Sequence, residues 1–243
     1  MSHSGTNLLR VEQVVKRFGG FRALDGVSFH LDPGEVLGLV GPNGSGKTTC
    51  INVISGLYPP DGGGVTFEGQ PIGGMPMHML ARRGINRTFQ SPKPFLSLTV
   101  QENVEIAATY GHAADRAPPD LRALLASLQL DGLAGRAAGD LNSAQQKTLD
   151  LARALATAPR LLLVDELAAG LNPAELVRMS ERLRALAADG MALLVVEHLM
   201  GFIDRVTDRV IVMNAGKEIF EGTLASATRD PEVIRVFLGG AHG

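Results

Sequence analysis

The chain has 243 residues, of which 45% are apolar and 20% charged, and its net charge is −2. These values predict a folded globular protein with a substantial core and exclude a largely disordered chain. The near-zero charge and the 5% aromatic content give no indication of a nucleic-acid-binding surface. No apolar run reaches the roughly 18 to 20 residues that span a bilayer, so membrane contact is expected only through a partner.

Cysteine usage and the N-terminus bear on the compartment. The single cysteine, Cys50, excludes an internal disulfide framework and suits a reducing environment. The first ten residues, MSHSGTNLLR, are polar and do not resemble a secretory signal. We therefore expect the chain to act in the cytoplasm.

The N-terminal part of the chain reads as short strands and turns. Weak alternation in LLRVEQVVKRF and ALDGVSFHL, with Asp-Gly and Pro-Gly turns, predicts short strands. The apolar segment Glu35–Gly41 predicts a buried strand that ends in glycine, and Thr48–Leu57 has helical spacing that closes at Gly56. The turn Pro59–Gly64 then precedes a further strand, VTFEGQPI.

The rest of the chain is richer in helices. Between Pro92 and Asn142, Ala- and Leu-rich helical segments are broken by APPD and DGLAGRAAGD, which predicts an inserted helical lobe. A helix, a strand, a helix and two strands are then expected at Ala144–Thr157, Leu161–Val164, Ala174–Ala188, Ala192–Val196 and Arg209–Met213. This alternation indicates an α/β fold with a parallel sheet.

The segment GPNGSGKT, Gly41 to Thr48, fits the phosphate-loop pattern G-x-x-x-x-G-K-[ST] between a predicted strand and a predicted helix. Its glycines let backbone amides turn inward to form an anion nest, and the following helix adds its positive end. Lys47 can reach the β- and γ-phosphates of a nucleotide, and Thr48 can offer its hydroxyl to Mg²⁺. A glycine-rich turn without function would have the same composition, and the flanking strand and helix argue against it.

Two acids end the apolar segment RLLLVDE, Arg160 to Glu166. A buried parallel strand delivers Asp165 to the carboxyl end of the sheet, where ligands bind in open α/β folds. Asp165 would hold Mg²⁺ directly or through water, and Glu166 could polarise a water for attack on the γ-phosphate. Alone, the two acids would be interpreted as solvated. Beside a phosphate loop they indicate a hydrolytic site.

The segment DLNSAQQKTLDLARAL, Asp140 to Leu155, predicts the start of a helix. Ser143 and Gln146 have the S-x-x-Q spacing of a capping box. Because a helix N-terminus can also bind phosphate, the same segment is a candidate part of a nucleotide site.

The order of these motifs resembles the ATPase subunit of ABC transporters over nearly the whole chain. The resemblance puts Walker A at GPNGSGKTT, the Q-loop at RTFQ, the signature at LNSAQ, Walker B at LLLVDE, the D-loop at AAGLNP and the switch histidine in VVEHLM. It implies an α/β P-loop NTPase (RecA-like) with a parallel-sheet core, an N-terminal antiparallel β lobe and an inserted helical lobe. The single domain would cover 1–243, with the core in 1–90 and 154–243 and the helical lobe in 91–153.

The resemblance also implies roles for single residues. Catalytic roles fall to Glu166, His198, Lys47 and Gln90, and Mg²⁺ ligands would be Thr48, Gln90 and Asp165. The expected ATP-binding residues are Phe18, which would stack on adenine, Gly41, Pro42, Asn43, Gly44, Ser45, Gly46, Lys47, Thr48, Thr49, Asn142, Ser143, Ala144 and Gln145. Taken alone, Phe18 could be a core residue, Gln90 a surface glutamine and His198 a residue that simply follows a strand.

The chain departs from the family pattern in three places. Asn142 replaces the signature serine, while Ser143 and Ala144 replace two glycines that approach the γ-phosphate of ATP held by the opposite subunit. Their β-carbons restrict that approach, which predicts a weakened sensor. Leu167 replaces the usual proline, which predicts a looser turn, and the helical lobe looks trimmed near Tyr110–Pro119.

The implied partners are a second ATPase subunit, which we expect to be a different chain, and integral-membrane permease subunits. A solute-binding protein would take part indirectly, no nucleic acid is expected, and the chain would lie peripherally at the cytoplasmic face of the inner membrane. The segment SPKPFL, with Pro92 and Pro94, would transmit motion to the permease or would be an ordinary surface loop.

Details of the motifs bear on the cargo. The segments NRTFQ, DELAAGLNP, VVEH and DPEVIRVFLG look like ATPases of branched-chain amino acid importers, and urea and short-amide importers share that look. Three rival functions are a soluble P-loop kinase or GTPase, an ABC ATPase acting on DNA or ribosomes, and a subunit that binds ATP without hydrolysing it. The missing N-K-x-D motif argues against the kinase or GTPase, and the lack of a basic surface argues against the ATPase acting on DNA or ribosomes. The intact Glu166 and His198 argue against a subunit that only binds ATP.

Overall fold

A computed structural model of the chain describes residues 7–89, 92–112 and 117–239. The strands are β1 (Leu9–Phe18), β2 (Phe21–Leu31), β3 (Val36–Val40), β4 (Gly62–Phe67), β5 (Gln70–Pro71), β6 (Ile85–Arg87), β7 (Leu161–Asp165), β8 (Ala192–Val196), β9 (Arg209–Asn214) and β10 (Lys217–Gly222). The helices are α1 (Lys47–Ile54), α2 (Met77–Arg83), α3 (Val100–Gly111), α4 (Leu121–Ser127), α5 (Ser143–Leu155), α6 (Pro173–Ala188), α7 (Met200–Val206), α8 (Leu224–Ala227) and α9 (Pro231–Gly239). Within the described ranges, no helix is both long and apolar enough to cross a membrane.

Two sheets organise the molecule. The larger sheet has the order β10-β9-β3-β8-β7-β6, in which β9, β3, β8, β7 and β6 run parallel and β10 is antiparallel to β9. The smaller sheet, β2-β1-β4-β5, is antiparallel throughout. The expected parallel α/β sheet and N-terminal antiparallel β sheet are therefore confirmed.

The central strands of the larger sheet, β3, β7 and β8, are buried on both faces, as their unbroken apolar runs predict. On β7, Leu161 and Leu163 face a core shared with the antiparallel sheet. The alternate residues Leu162 and Val164 face a second core, to which the helices between 100 and 206 contribute. The strand period of two thus divides one apolar run between two cores. The two cores thus fix the carboxyl end of β7, at which Asp165 and Glu166 lie.

The helices of the expected helical lobe are not packed only on one another. Val104 of α3, Leu125 of α4 and Leu149 of α5 belong to the same buried cluster as Leu162 and Leu193 of the parallel sheet. Helix α5 therefore connects the signature segment at its N-terminus to the centre of the molecule. The boundaries of a separate lobe at 91 and 153 stay a prediction.

Candidate functional site

The phosphate loop joins β3 to α1 in a conformation that needs glycine. Gly41, Gly44 and Gly46 have φ values of 147°, 77° and 107°. A β-carbon on Gly41 would lie 2.2 Å from the carbonyl oxygen of Met213, and one on Gly46 would lie 2.6 Å from that of Ala23. The close approach of backbone at Gly41 and Gly46 therefore leaves no room for a side chain at either position.

Lys47, the first residue of α1, is folded into this loop. Its Nζ donates to the carbonyl oxygens of Gly41 at 2.8 Å and Pro42 at 2.9 Å. The side chain is almost completely buried, and this desolvation lowers the pKa of Lys47, an effect that the carboxylate of Glu166 opposes. The ammonium is thus placed at the centre of the loop, where the β- and γ-phosphates of a nucleotide would lie.

Two aromatic side chains stand beside the loop. Phe18 ends β1 and Phe21 begins β2, and they pair across the Gly19–Gly20 turn. Both are exposed, and both line a cavity of about 260 Å³ together with Asn43, Gly44, Gly46, Lys47, Thr48, Thr49, Glu166 and His198. The exposed position of Phe18, edge-on to Tyr58 at 5.2 Å, favours a ligand-facing residue over a core residue. Phe21 was not predicted from the sequence, although the symmetry of FGGF could have indicated it.

Glu166 and His198 meet at the opposite wall of this cavity. Glu166 follows β7 in the left-handed region, with φ 48°, and its backbone amide donates to the carbonyl of Val196. The Nε2 of His198 lies 2.8 Å from its Oε1. A non-glycine residue with positive φ is strained, and such strain is concentrated at functional sites. The structure therefore brings together Lys47, Thr48, Glu166 and His198 around one cavity, and their catalytic roles stay predictions.

Asp165 lies behind this wall and has a partner that was not predicted from the sequence. Its Oδ2 accepts a hydrogen bond from the NH2 group of Arg87 at 2.6 Å, in an ion pair whose side chains are both nearly buried. The NH1 group of Arg87 donates to Asn52 Oδ1 at 2.6 Å and to Ser55 Oγ at 3.2 Å. Arg87 thus fastens the Walker B carboxylate to the phosphate-loop helix. Its partner Asp165 is 78 residues away in sequence, which no local pattern reveals.

The helix start in the signature is shifted by one residue from the expected one. The N-cap of α5 is Asn142, whose Oδ1 accepts from the amide of Gln145 at 2.9 Å while Gln145 Oε1 accepts from the amide of Asn142 at 3.0 Å. The predicted capping box of Ser143 and Gln146 is therefore wrong. Two overlapping patterns, N-x-x-Q and S-x-x-Q, were available, and asparagine is as good an N-cap as serine.

The signature does not line the cavity at the phosphate loop. Asn142, Ala144 and Gln145 line a separate cavity of about 230 Å³ between the helices, beside Arg178 and Arg182 of α6. Ser143 and Ala144 lie in the first turn of α5 with ordinary helical backbone. Their side chains therefore impose no backbone strain, and only the approach of a ligand could be affected.

The turn after Glu166 is held rather than loose. Leu167 is buried in the helical core, and its carbonyl accepts a hydrogen bond from Lys147 Nζ at 3.0 Å. The side chain of Leu167 thus gives this turn a core contact, and its effect relative to the family's proline stays a prediction. Gln90, expected at the Q-loop, and part of the segment near Tyr110–Pro119 lie outside the described residues.

Comparison with known proteins identifies the family. A family model described as ABC transporter matches residues 24–169. The chain belongs to the ABC transporter family. Among curated ABC transporter proteins, it is 38% identical to the probable branched-chain amino acid transport ATP-binding protein LivG of Archaeoglobus fulgidus, covering 96% of this chain and 95% of that protein. It is 34% identical to the high-affinity branched-chain amino acid transport ATP-binding protein BraF of Pseudomonas aeruginosa, covering 96% and 98%.

Solved ABC cassettes have the same fold. The chain matches an ATP-binding cassette solved in its ADP conformation with a TM-score of 0.87, 35% identity and coverage of 97% of this chain and 100% of that one. It also matches a dimeric cassette in a post-hydrolysis state bound to ADP and Pi, with a TM-score of 0.78, 26% identity and coverage of 89% and 98%. The resemblance and the fold class are thus confirmed, and the chain is the ATPase subunit of an ABC transporter.

Proposed function

We propose that this chain hydrolyses ATP within a dimer of ATPase subunits and thereby powers import of branched-chain amino acids. The observation that carries the proposal is that the phosphate loop and the signature of this chain line separate cavities. The cavity at the phosphate loop contains Lys47, Glu166 and His198, whereas Asn142 and Gln145 of the signature line a different cavity. A second subunit is needed to bring a signature to the γ-phosphate.

Each residue of the cavity has a chemical task in this proposal. Backbone amides of the phosphate loop and Lys47 bind the phosphates, while Phe18 and Phe21 offer aromatic faces to the adenine. Glu166 orients and polarises the attacking water, and His198 holds the Glu166 carboxylate through its 2.8 Å contact.

The donor set at the loop fits Mg²⁺. Thr48 offers a hydroxyl oxygen and Asp165 a carboxylate, and such hard oxygen ligands together with phosphates and water are what Mg²⁺ prefers. When bound, the ion would neutralise charge that develops on the phosphates. Arg87 occupies one oxygen of Asp165, which orients the carboxylate before any metal arrives. Gln90 stays a proposed ligand on the family pattern alone.

A groove on the helical side is the proposed contact for a permease subunit. Phe89, Phe95 and Tyr110 are exposed and line a cavity of about 300 Å³ that also reaches Arg87. Beneath it lies Asp150, whose pKa is raised by burial and whose Oδ2 accepts from the amide of Phe89. Exposed aromatic side chains around a groove are typical of protein interfaces. Because Arg87 lines this groove and also binds Asp165, it would connect the permease contact to the nucleotide site.

The partner ATPase is proposed to be a different chain. The weakened LNSAQ would then serve a slow site, while this chain's own Glu166 works against an intact signature. A relative solved as a dimer with ADP and Pi supports the sandwich arrangement. The names of the relatives support the cargo, and a solute-binding protein would deliver it.

Hydrolysis is tested with Glu166→Gln in the assembled transporter. We expect ATP binding to persist while phosphate release falls by at least about a hundredfold, since a catalytic base is lost. Glu181→Gln, an exposed acid on α6, is the matched control and should leave the rate unchanged. If the wild-type complex binds Mg-ATP in a single-turnover assay but leaves the γ-phosphate attached, the subunit only binds ATP and the proposal is wrong.

The cargo is tested separately in proteoliposomes that contain the complex and its solute-binding protein. ATP-driven uptake of radiolabelled leucine, without uptake of urea or acetamide, is the expected result. Uptake of urea or acetamide in place of leucine would reassign the importer and leave the ATPase proposal intact.

A further inference from the structure

A buried lysine joins the signature helix to the turn that carries Glu166. Lys147 lies on α5, two residues beyond Gln145, and is only 6% exposed. Its Nζ donates to the backbone carbonyl oxygens of Glu166 at 3.3 Å and Leu167 at 3.0 Å. A third hydrogen bond reaches the carbonyl of Ala169. One ammonium therefore uses all three of its donors on a single turn.

The same turn is held from its other side by a buried carboxylate. Glu197, the residue after β8, is 2% exposed, and its Oε1 accepts from the amide of Ala168 at 2.6 Å. Burial raises the pKa of Glu197 and lowers the pKa of Lys147, and electrostatic attraction between the two groups opposes both shifts. The turn 166–169 is thus clamped between a cation on its carbonyls and an anion on one amide.

This arrangement is more than the packing of the turn requires. Leu167 and Ala168 are already buried in the helical core, which fixes the path of the backbone. An apolar side chain of similar length at position 147 would fill the same space without desolvating a charge. The ammonium adds hydrogen bonds that join the carbonyls of the turn to α5, the helix that begins with the signature.

The two ends of this attachment serve different ATP molecules in the proposed dimer. Glu166 faces the phosphate loop of its own chain, in the cavity that also contains Lys47. The signature at Asn142 contacts ATP held by the other subunit, an assumption on which this inference rests because it depends on the proposed function. A shift of α5 upon closure at one site would therefore pull on the catalytic turn of the other site.

We propose that Lys147 is a positioning residue that couples the signature of one ATP site to the catalytic glutamate of the other. The residue does not line the cavity at the phosphate loop. Lys147 fixes the backbone position from which the Glu166 side chain extends. Because Lys147 lies on α5, that position depends on whether the signature at the start of α5 has bound ATP.

The first test is a separation of kcat from KM in the assembled transporter. Lys147→Met removes the charge and keeps the length, and we expect kcat to fall about tenfold, a modest part of the hundredfold that a 1 Å misplacement can cost. The KM for ATP should change by less than about twofold, because the phosphate-binding residues stay in place. Lys147→Arg retains the charge and donors and should restore most of the rate. Lys217→Met, at an exposed lysine on β10, is the matched control and should have no effect.

The second test measures coupling directly with a double-mutant cycle. Asn142→Gly removes the signature side chain while glycine keeps most of the N-cap preference. We expect the loss of kcat caused by Asn142→Gly to be at least about threefold smaller in the Lys147→Met background than in the wild type. A purely structural role would give multiplicative effects and would overturn the inference.

The outcomes separate this inference from the proposed function. An inactive wild-type complex defeats the proposed function, whereas an active wild type with an unaltered kcat in Lys147→Met defeats the coupling alone. If Lys147→Met does not fold, Glu197→Gln attacks the same turn from its amide side and keeps an acceptor for Ala168. A lowered kcat with an unchanged KM in that variant supports the inference, and an unchanged kcat overturns it.

Discussion

The phosphate loop and the signature segment are both proposed to bind the phosphates of ATP, each in a different ATP site of the dimer, yet they constrain their residues in opposite ways. In the loop, Gly41 and Gly46 have positive φ and lie against backbone carbonyls, so no other residue fits. In the signature, Ser143 and Ala144 occupy an ordinary helical turn that any residue can adopt. The phosphate loop therefore requires glycine at these two positions, whereas the helix N-terminus at the signature folds without it.

The largest expected loss of stability comes from the buried Arg87–Asp165 ion pair behind the phosphate loop. Arg87→Met leaves Asp165 buried and unpaired, and breaking a buried ion pair in this way costs about 3 to 5 kcal/mol. Urea unfolding without nucleotide measures it. Arg87→Met combined with Asp165→Asn should recover much of the loss, because the uncompensated charge is gone. A loss of stability as large in the double variant as in Arg87→Met would show that packing, not charge, fixes this wall.

A smaller effect is expected within the phosphate loop itself. Gly41→Ala puts a β-carbon 2.2 Å from the carbonyl of Met213, and we expect a loss of about 3 kcal/mol, the upper range for overpacking. Gly44→Ala is the matched control, since its φ is also positive but no atom lies within 4 Å, and about 1 kcal/mol of backbone strain is expected. Thermal unfolding and nucleotide binding of the two variants give the comparison. Equal losses would mean that φ alone, and not the close approach, makes glycine necessary.

These contrasts also explain what the sequence could predict. The phosphate loop, β3, β7 and the acids at 165 and 166 were predictable because each rests on a local pattern of glycine, apolar run or turn. The Arg87–Asp165 pair and the Lys147 contacts join segments 78 and about 20 residues apart, so only the packed fold reveals them. The cap at Asn142 was misassigned because two equivalent patterns are offset by one residue, and local chemistry does not choose between them.

The smallest effect on stability is expected in the signature, where it should accompany a gain in activity. Asn142→Ser with Ser143→Gly and Ala144→Gly restores the family signature but puts two glycines into the first turn of α5. Each glycine costs roughly 0.5 to 1 kcal/mol of helix propensity, so the variant should be about 1 to 2 kcal/mol less stable. Its ATPase rate in the assembled transporter should rise severalfold, because backbone amides can then approach the γ-phosphate of ATP in the opposite subunit.

The control for this loss of stability and gain in ATPase rate is a glycine in the exposed first turn of another helix. Ala123→Gly on α4, which begins at the Asp120 cap, should lower stability by a similar amount per residue and leave the rate unchanged. A restored signature that loses stability without gaining rate would mean that Asn142 already substitutes for the serine. That result is chemically reasonable, since its Oδ1 caps the helix while its Nδ2 keeps two donors for a phosphate. The two ATP sites of the dimer would then hydrolyse ATP equally well although their signatures differ. The proposal of a slow site in a heterodimer would fail.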